Sequence, residues 1–382
     1  MSASSQSVRS AAVEAVASAR PLTVHIVERM APGGIETLVL DMTKGMPGQH
    51  VVFSLAGTRS ELVAAWPRLA GMNSSLEAFG RQPGLRPRLV AQLTARLRTL
   101  RPDGVIVHHI GPMIYGGTAA RLARVPRILH VEHDAWHYES PRRRALSGLF
   151  FRLVRPSRVA VSQEIATKVA SYFPGRAVNV IAPGVDMDLF RPRDRAAARV
   201  RLGMATDVPL IGTSGRLVPV KSQATLIEAL ALLRREPNLK LSPLPQLVIV
   251  GEGPERGALH ALAVERGVAG AVHLLGHRDD LAEVLPSFDI YSLPSLNEGL
   301  PRGVLEAQAV GLPVVASNVG ALADAVCPET GRLVPAGDAP ALAAALADLI
   351  THPPDVRISR RFVETRFALA TTLSAFNSLL QR

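Results

Sequence analysis

The sequence predicts an α/β protein built from two Rossmann-like, doubly wound domains that face each other across a cleft. Three observations carry this reading. Short apolar, β-branched runs alternate with helical stretches from about residue 22 to residue 350, the pattern of parallel sheets covered by helices. The alternation comes as two successive series, separated by a Pro- and Arg-rich stretch from Pro183 to Arg195. The 382 residues suffice for two domains of about 150–200 residues, each with its own core.

In the first series, strands are expected at Leu22–Val27, His50–Leu55, Gly104–His108, Arg127–Val131, Arg158–Val161 and Val178–Ile181. In the second they are expected at Pro209–Thr213, Gln246–Val250, Ala271–Leu275, Ile290–Leu293 and Pro313–Ala316. Helical periodicity fills the gaps, at Ile35–Lys44, Arg88–Leu100, Ser222–Arg235, Glu255–Arg266, Gly303–Val310 and Ala339–Leu349. The domain plan is a mobile leader over 1–20, a first domain over 21–190, a second over 191–365 and a C-terminal helix over 366–382. That helix, roughly Phe367–Gln381, is placed to pack back across the cleft. Ligands of such folds bind at the carboxyl ends of the strands.

Composition narrows the function. A single cysteine, Cys327, excludes a disulfide framework and a cysteine-rich zinc site. No apolar run approaches the roughly 20 residues of a membrane span, and residues 1–20 lack the apolar centre of a signal peptide. A cytoplasmic chain is expected, with a peripheral seat on the inner membrane face as an extension. Residues 1–190 hold 23 Lys+Arg against 13 Asp+Glu, net +10, while residues 191–382 hold 20 against 19, net +1. One half is therefore expected to meet an anionic partner. Aromatics at 4% argue against base-stacking platforms, and nucleic acid is not expected as a partner.

The segment Ser292–Ser317 is the most informative. It reads strand, Pro/Asn/Gly loop, helix from about Arg302, strand, with Glu298 in the loop and Glu306 in the helix. Taken alone the two glutamates would be a solvated loop residue and an exposed helix residue. In this context Glu298 can accept from sugar hydroxyls beside a helix N-terminus and Glu306, one turn in, can reach a ribose. Gly215-Arg216 with Lys221 places two cations five residues apart before a helix, suited to a diphosphate leaving group. Arg216 offers a planar fork and Lys221 a mobile point charge. Gly215 allows close backbone approach.

Together these segments resemble the family 4 retaining glycosyltransferases, which have the two-Rossmann GT-B fold. Ser292–Ser317 resembles their E-x7-E region, and Gly215, Arg216 and Lys221 their phosphate clamp. Gly33-Gly34-Ile35-Glu36 resembles their glycine-rich loop, and Gly184-Val185-Asp186 with Phe190 and Pro192 their interdomain segment. Val250-Gly251-Glu252-Gly253-Pro254 resembles their V-G-x-G-P turn, and Gly331 to Asp338 their closing loop. Pro183 stands where the family commonly has Asn.

The resemblance implies transfer of a hexose-type sugar, with retention, from a nucleotide-sugar donor to a glycan or lipid-linked acceptor in exopolysaccharide or cell-envelope glycan synthesis. It implies Arg216, Lys221, His133 and Glu298 as catalytic groups, and Gly33, Gly34, Gly215, Gly253, Glu298, Gly299, Leu300 and Glu306 as donor-binding. No cofactor is implied, and transfer is expected without a metal. Other readings stay open: a nucleotide-sugar epimerase of the same architecture, or a non-catalytic partner subunit.

Five further patterns have competing readings. His130, His133, Asp134 and His137 have a spacing that can chelate zinc, or His133 contacts a sugar hydroxyl, or it is a structural loop residue. Asp186-Met187-Asp188 is formally a metal-binding D-x-D, but sits at the domain junction. Glu36 reads as a first-turn residue that favours the helix dipole, and GEGPERG is one residue too long for a dinucleotide fingerprint. Two basic stretches, Arg81–Arg101 and Arg142–Arg158, carry leucines at helical period. They read as membrane-resting helices or as solvated faces over a core stripe.

Overall fold

A computed structural model of the chain describes residues 21–235 and 242–382. The expected leader over 1–20 lies outside the described residues. The first sheet has seven strands: β1 Leu22–Val27, β2 Gln49–Ser54, β3 Leu76–Ala78, β4 Gly104–His108, β5 Arg127–Glu132, β6 Ser157–Ala160 and β7 Val178–Val180. They lie in the order β3-β2-β1-β4-β5-β6-β7. The second sheet contains β8 Leu210–Ser214, β9 Gln246–Val250, β10 Val272–Gly276, β11 Ile290–Leu293, β12 Val314–Ser317 and β13 Arg332–Val334, in the order β10-β9-β8-β11-β12-β13. Neighbours pair in parallel throughout both sheets, as in doubly wound folds. The central strands are buried along their length, so they read as apolar runs rather than alternating ones.

Two strands depart from the expected set. β3 and β13 are three residues each, and Glu77 and Arg332 interrupt their apolar character. β13 lies inside the segment read as the closing loop, Gly331 to Asp338.

The helices that cover these sheets include α1 Gly34–Gly45, α2 Pro87–Leu100, α3 Pro141–Val154, α4 Gln163–Tyr172, α5 Gln223–Arg235, α6 Arg302–Ala309, α7 Val356–Arg366 and α8 Leu369–Gln381. α8 starts two residues later than its periodicity suggests. Phe367 and Ala368 instead run beside Val185, with a bridge between Val185 and Ala368. From there α8 lies on the first domain, with Leu373 over Gly45 and Leu380 over Gly104. The junction is held from the other side by Arg360, whose guanidinium donates to the carbonyls of Met187, Phe190 and Ala309. Asp186 is used locally: its Oδ1 accepts from the backbone N–H of Asp188 and Leu189.

The two basic helices part company here. α2 buries Leu89, Leu93 and Leu97, so its leucine stripe is core and its arginines form a solvated face. α3 buries Phe151 and Val154 but leaves Leu146, Leu149 and Leu153 exposed beside Arg142, Arg143 and Arg152.

Gly184 lies under the first turn of α8. A Cβ there would stand 2.5 Å from Leu369 Cα and 2.6 Å from Thr372 Oγ1. Gly184→Ala should therefore force α8 off the junction, at a cost of about 1–3 kcal/mol, the usual range for overpacking. Thermal melts should show a lower midpoint, and hydrogen exchange should show lost protection confined to α8 and its contacts.

Candidate active site

The cleft wall of the second domain is assembled by glycines that let two loops lie on each other. Gly251 has φ +143°, and a Cβ on it would stand 1.9 Å from Gly215 O; a Cβ on Gly253 would stand 2.3 Å from Leu217 O. Gly253 is thus required by packing of the turn after β9 against the loop after β8. Backbone bonds Gly215 N–H to Val250 O and Leu217 N–H to Glu252 O fix that stack. Gly215 itself has φ +147° and open space around it, apart from Lys221 Cε at 3.9 Å.

Arg216 is exposed at the edge of this loop and has no ion pair among the described residues. Lys221 is not the free surface cation its sequence position suggests. Its Nζ donates to Glu298 Oε1 at 2.5 Å, and Ser295 Oγ donates to the same oxygen at 2.6 Å. Glu306 is likewise buried rather than exposed. It faces Arg302 one turn earlier, at 3.5 Å, and burial raises its pKa against the Arg302 charge. Leu300 packs its side chain into the main core, so any donor contact at that position belongs to its backbone. α6 opens after Pro301 with no side-chain cap, which leaves its first N–H groups to an anion.

The first domain closes onto this wall at three points. Gly299 meets the carbonyl of His133, where a Cβ would stand 1.9 Å away. Arg302, buried at 6% exposure, ion-pairs with Asp41 of α1 at 2.7 Å. Trp66 Nε1 donates to Asp279 at 2.9 Å. Gly34 faces Arg302, and the carboxylate of Glu36 occupies the place a Cβ on Gly33 would take, at 2.5 Å. Burial pushes the Glu36 carboxyl up to about 6, against its backbone hydrogen bond and the nearby charges of Arg216 and His109. Glu36 is thus a cleft group rather than only a first-turn dipole partner.

The histidine cluster does not form a metal-ligand set among the described residues. His137 Nδ1 lies 3.0 Å from Asp134, and His130 Nε2 lies 3.2 Å from Glu132. His133 Nε2 lies 3.0 Å from His108 Nδ1, which continues a row across the sheet. The rings of His108 and His25 stack at 6.3 Å, and His25 Nε2 lies 3.1 Å from His50 Nδ1. The row has one imidazole on each of three adjacent strands, because His50, His25 and His108 all point to the same face.

Glu132 and His109 escaped the sequence reading. Burial alone would raise Glu132, but hydrogen bonds from His109 and His130 hold it well below the usual carboxylate range, and Tyr138 Oη donates to it as well. His109 follows the predicted end of β4 with φ +69°, a conformation no residue pattern announces. Burial would lower its pKa, yet Glu132, Asp134 and Glu36 raise it. Its neighbour His108 is pushed down to about 3, by burial first and by His109 and His130 next.

Comparisons with known proteins agree with this fold. Residues 32–189 match the family described as Glycosyltransferase Family 4, and residues 208–352 match Glycosyl transferases group 1. The D-inositol 3-phosphate glycosyltransferase of Stackebrandtia nassauensis is 43% identical over 185 residues, 46% of this chain and 42% of that one. The match thus spans less than half the length of that relative. EpsF of Bacillus subtilis, which carries a provisional glycosyltransferase name, is 28% identical over 314 residues, 79% of this chain and 80% of that one. HepE from Anabaena, solved with UDP and glucose, superposes with a TM-score of 0.81 at 24% identity, covering 94% of this chain and 99% of that one. Its complex with UDP-glucose superposes at 0.79 with 25% identity, over the same shares of the two chains.

The histidine row sets a pH response. His25 and His108 are buried and held below the ordinary histidine value, His108 down to about 3, so below that ordinary value the unfolded chain binds protons there that the folded chain does not. Stability should therefore fall as pH drops below about 6.5. His109, raised, titrates on the other side of about pH 6.5 and does not oppose this fall, while His133 and His50, also held low, add to it. Thermal melts from pH 6.5 down to pH 5 should show a falling midpoint, and His25→Leu should flatten that slope. A midpoint independent of pH would contradict the burial of neutral imidazoles in this row.

Proposed function

We propose that this chain, a member of the family 4 glycosyltransferases with their GT-B fold, transfers a hexose-type sugar from a nucleotide-sugar donor to a glycan or lipid-linked acceptor. The observation that supports this most is the Lys221–Glu298 pair. A nucleotide-sugar joins a diphosphate to a ring of hydroxyls, and the two partners match its two halves: a cation for the phosphate and a carboxylate for the hydroxyls. Arg216 and the uncapped N-terminus of α6 lie on the same wall and would carry the remaining phosphate charge. Glu306 would take the ribose, with Arg302 holding it in place.

In this reading the chemistry is charge stabilisation. As the bond from the sugar to the phosphate breaks, negative charge grows on the leaving diphosphate, and Arg216 and Lys221 meet it. Retention is proposed to follow a front-face course, with the acceptor hydroxyl passing its proton to the departing phosphate oxygen. His133 would contact a sugar hydroxyl near the reacting carbon. These cations are proposed to stand in for a metal at the diphosphate. HepE, solved with UDP-glucose, makes UDP-glucose the first donor to test.

The exposed face of α3, with Leu146, Leu149 and Leu153 beside Arg142, Arg143 and Arg152, is proposed to rest on an anionic membrane surface at the cytoplasmic side. Among the described residues no helix is long and apolar enough to cross a membrane. The chain should co-sediment with vesicles of phosphatidylglycerol, and Leu149→Asp should reduce this without lowering the melting midpoint.

Arg216→Ala and Lys221→Ala should each lower transfer by about 100-fold, and transfer should persist in excess EDTA. Calorimetry separates the pair: Glu298→Gln should weaken UDP-glucose while UDP affinity holds or rises, because the carboxylate that UDP would leave short of donors is gone. Near-normal turnover in either cation variant, or equal loss of both ligands in Glu298→Gln, would overturn the assignment. An isomerised donor formed without acceptor would instead favour the epimerase.

A further inference from the structure

Beside Glu298, between the two domains, lies a cavity of about 250 Å³. The first domain lines it with Trp136 and Glu139 from the turn after β5 and with Glu164 and Lys168 from α4; the second supplies Asn297 and Glu298. Trp136 is three residues beyond His133, whose carbonyl is the contact point with Gly299. The cavity therefore opens next to the place where the donor sugar would sit.

We propose that this cavity is the acceptor subsite and that it takes an uncharged saccharide, laid against Trp136, rather than a phosphorylated acceptor. The proposal rests on the transfer reading above and names the acceptor class for that same site. A sugar ring has a face of C–H groups and a rim of hydroxyls. An indole covers the first, and carboxylates and amides bond the second. Trp136 is 51% exposed, whereas Trp66, the other tryptophan of the chain, is 2% exposed. Around the indole stand the kinds of groups that bind hydroxyls: the amide of Asn297 and the carboxylates of Glu139, Glu164 and Glu298.

Charge decides against a phosphate. The lining has three carboxylates and one cation. Lys168 is engaged by Glu164 at 2.6 Å, and Glu298 by Lys221 at 2.5 Å. Glu139 has no ion pair among the described residues. A phosphate placed here would face an uncompensated carboxylate, and like-charge contacts of that kind exclude a ligand more strongly than a hydroxyl rim attracts it. The S. nassauensis relative is named for a phosphorylated inositol; this cavity lacks the free cation such a group would need.

The two tryptophans allow a direct test. Intrinsic fluorescence of the UDP-saturated chain is titrated with neutral mono- and disaccharides (glucose, galactose, N-acetylglucosamine, cellobiose, maltose) and with myo-inositol 3-phosphate. At least one neutral sugar should change the emission, Trp136→Phe should abolish that change, and myo-inositol 3-phosphate should produce none. Trp136→Ala should leave UDP affinity within about two-fold of the unaltered chain. An emission change with the inositol phosphate, a sugar response that survives Trp136→Phe, or silence across the neutral panel would overturn the subsite. Failure of the unaltered chain to bind UDP or UDP-glucose would instead overturn the transfer reading on its own.

Discussion

Arg302 holds the two halves of the molecule in register. It is a buried guanidinium, and a buried charge is tolerated only when its partners are close. One partner, Asp41, belongs to α1 of the first domain, and the other, Glu306, lies one turn further along α6. Separating the domains would remove Asp41 and expose the remaining pair to water. The closed arrangement is thus tied to the charge state of the helix that would hold the nucleotide. The Gly299 contact with the His133 carbonyl works in the same direction, because only a residue without Cβ allows the loop before α6 to reach the first domain.

The parallel sheets were legible because their strands are buried on both faces and appear as unbroken Val/Ile/Leu runs. β4, β9 and β11 fall at the residues that pattern indicates. β3 and β13 were not legible, since a three-residue strand with one charged residue carries no periodicity. The same division runs through the site. Arg216, Lys221, Glu298 and Glu306 stand out by residue type and spacing. That Lys221 pairs with Glu298, and Arg302 with Asp41, depends on separations of 77 and 261 positions in the chain, which no local pattern encodes. His109 was invisible for a third reason: its place in the cleft depends on a positive φ at a non-glycine residue.

The first domain is strongly basic in sum, yet its cleft wall is not. Its arginines are spread over outer helices, and the cleft carries Glu36, Glu132, Asp134 and a row of histidines. Burial keeps His25 and His108 neutral, so the row fills space and hydrogen-bonds without adding positive charge beneath the cleft. The cations suited to a diphosphate, Arg216 and Lys221, both lie on the second domain. Net charge by half-chain therefore points to the outer surface, and the charge of the cleft has to be read from individual partners.

The pairing of Lys221 with Glu298 bears on how such a site would tell donor from product. A nucleoside diphosphate offers Lys221 a phosphate but offers Glu298 nothing, so the carboxylate would lose its cation without gaining a donor. Ser295 alone would then satisfy it. A nucleotide-sugar supplies the phosphate and the hydroxyls together, so Lys221 would exchange the carboxylate for a phosphate and Glu298 its cation for hydroxyl donors. Since a carboxylate left short of donors in a closed cleft is unfavourable by about 1–3 kcal/mol or more, the pair would favour the intact donor over the spent diphosphate. Under the proposed function, the close contact of these two side chains would thus place donor recognition and product release on one ion pair.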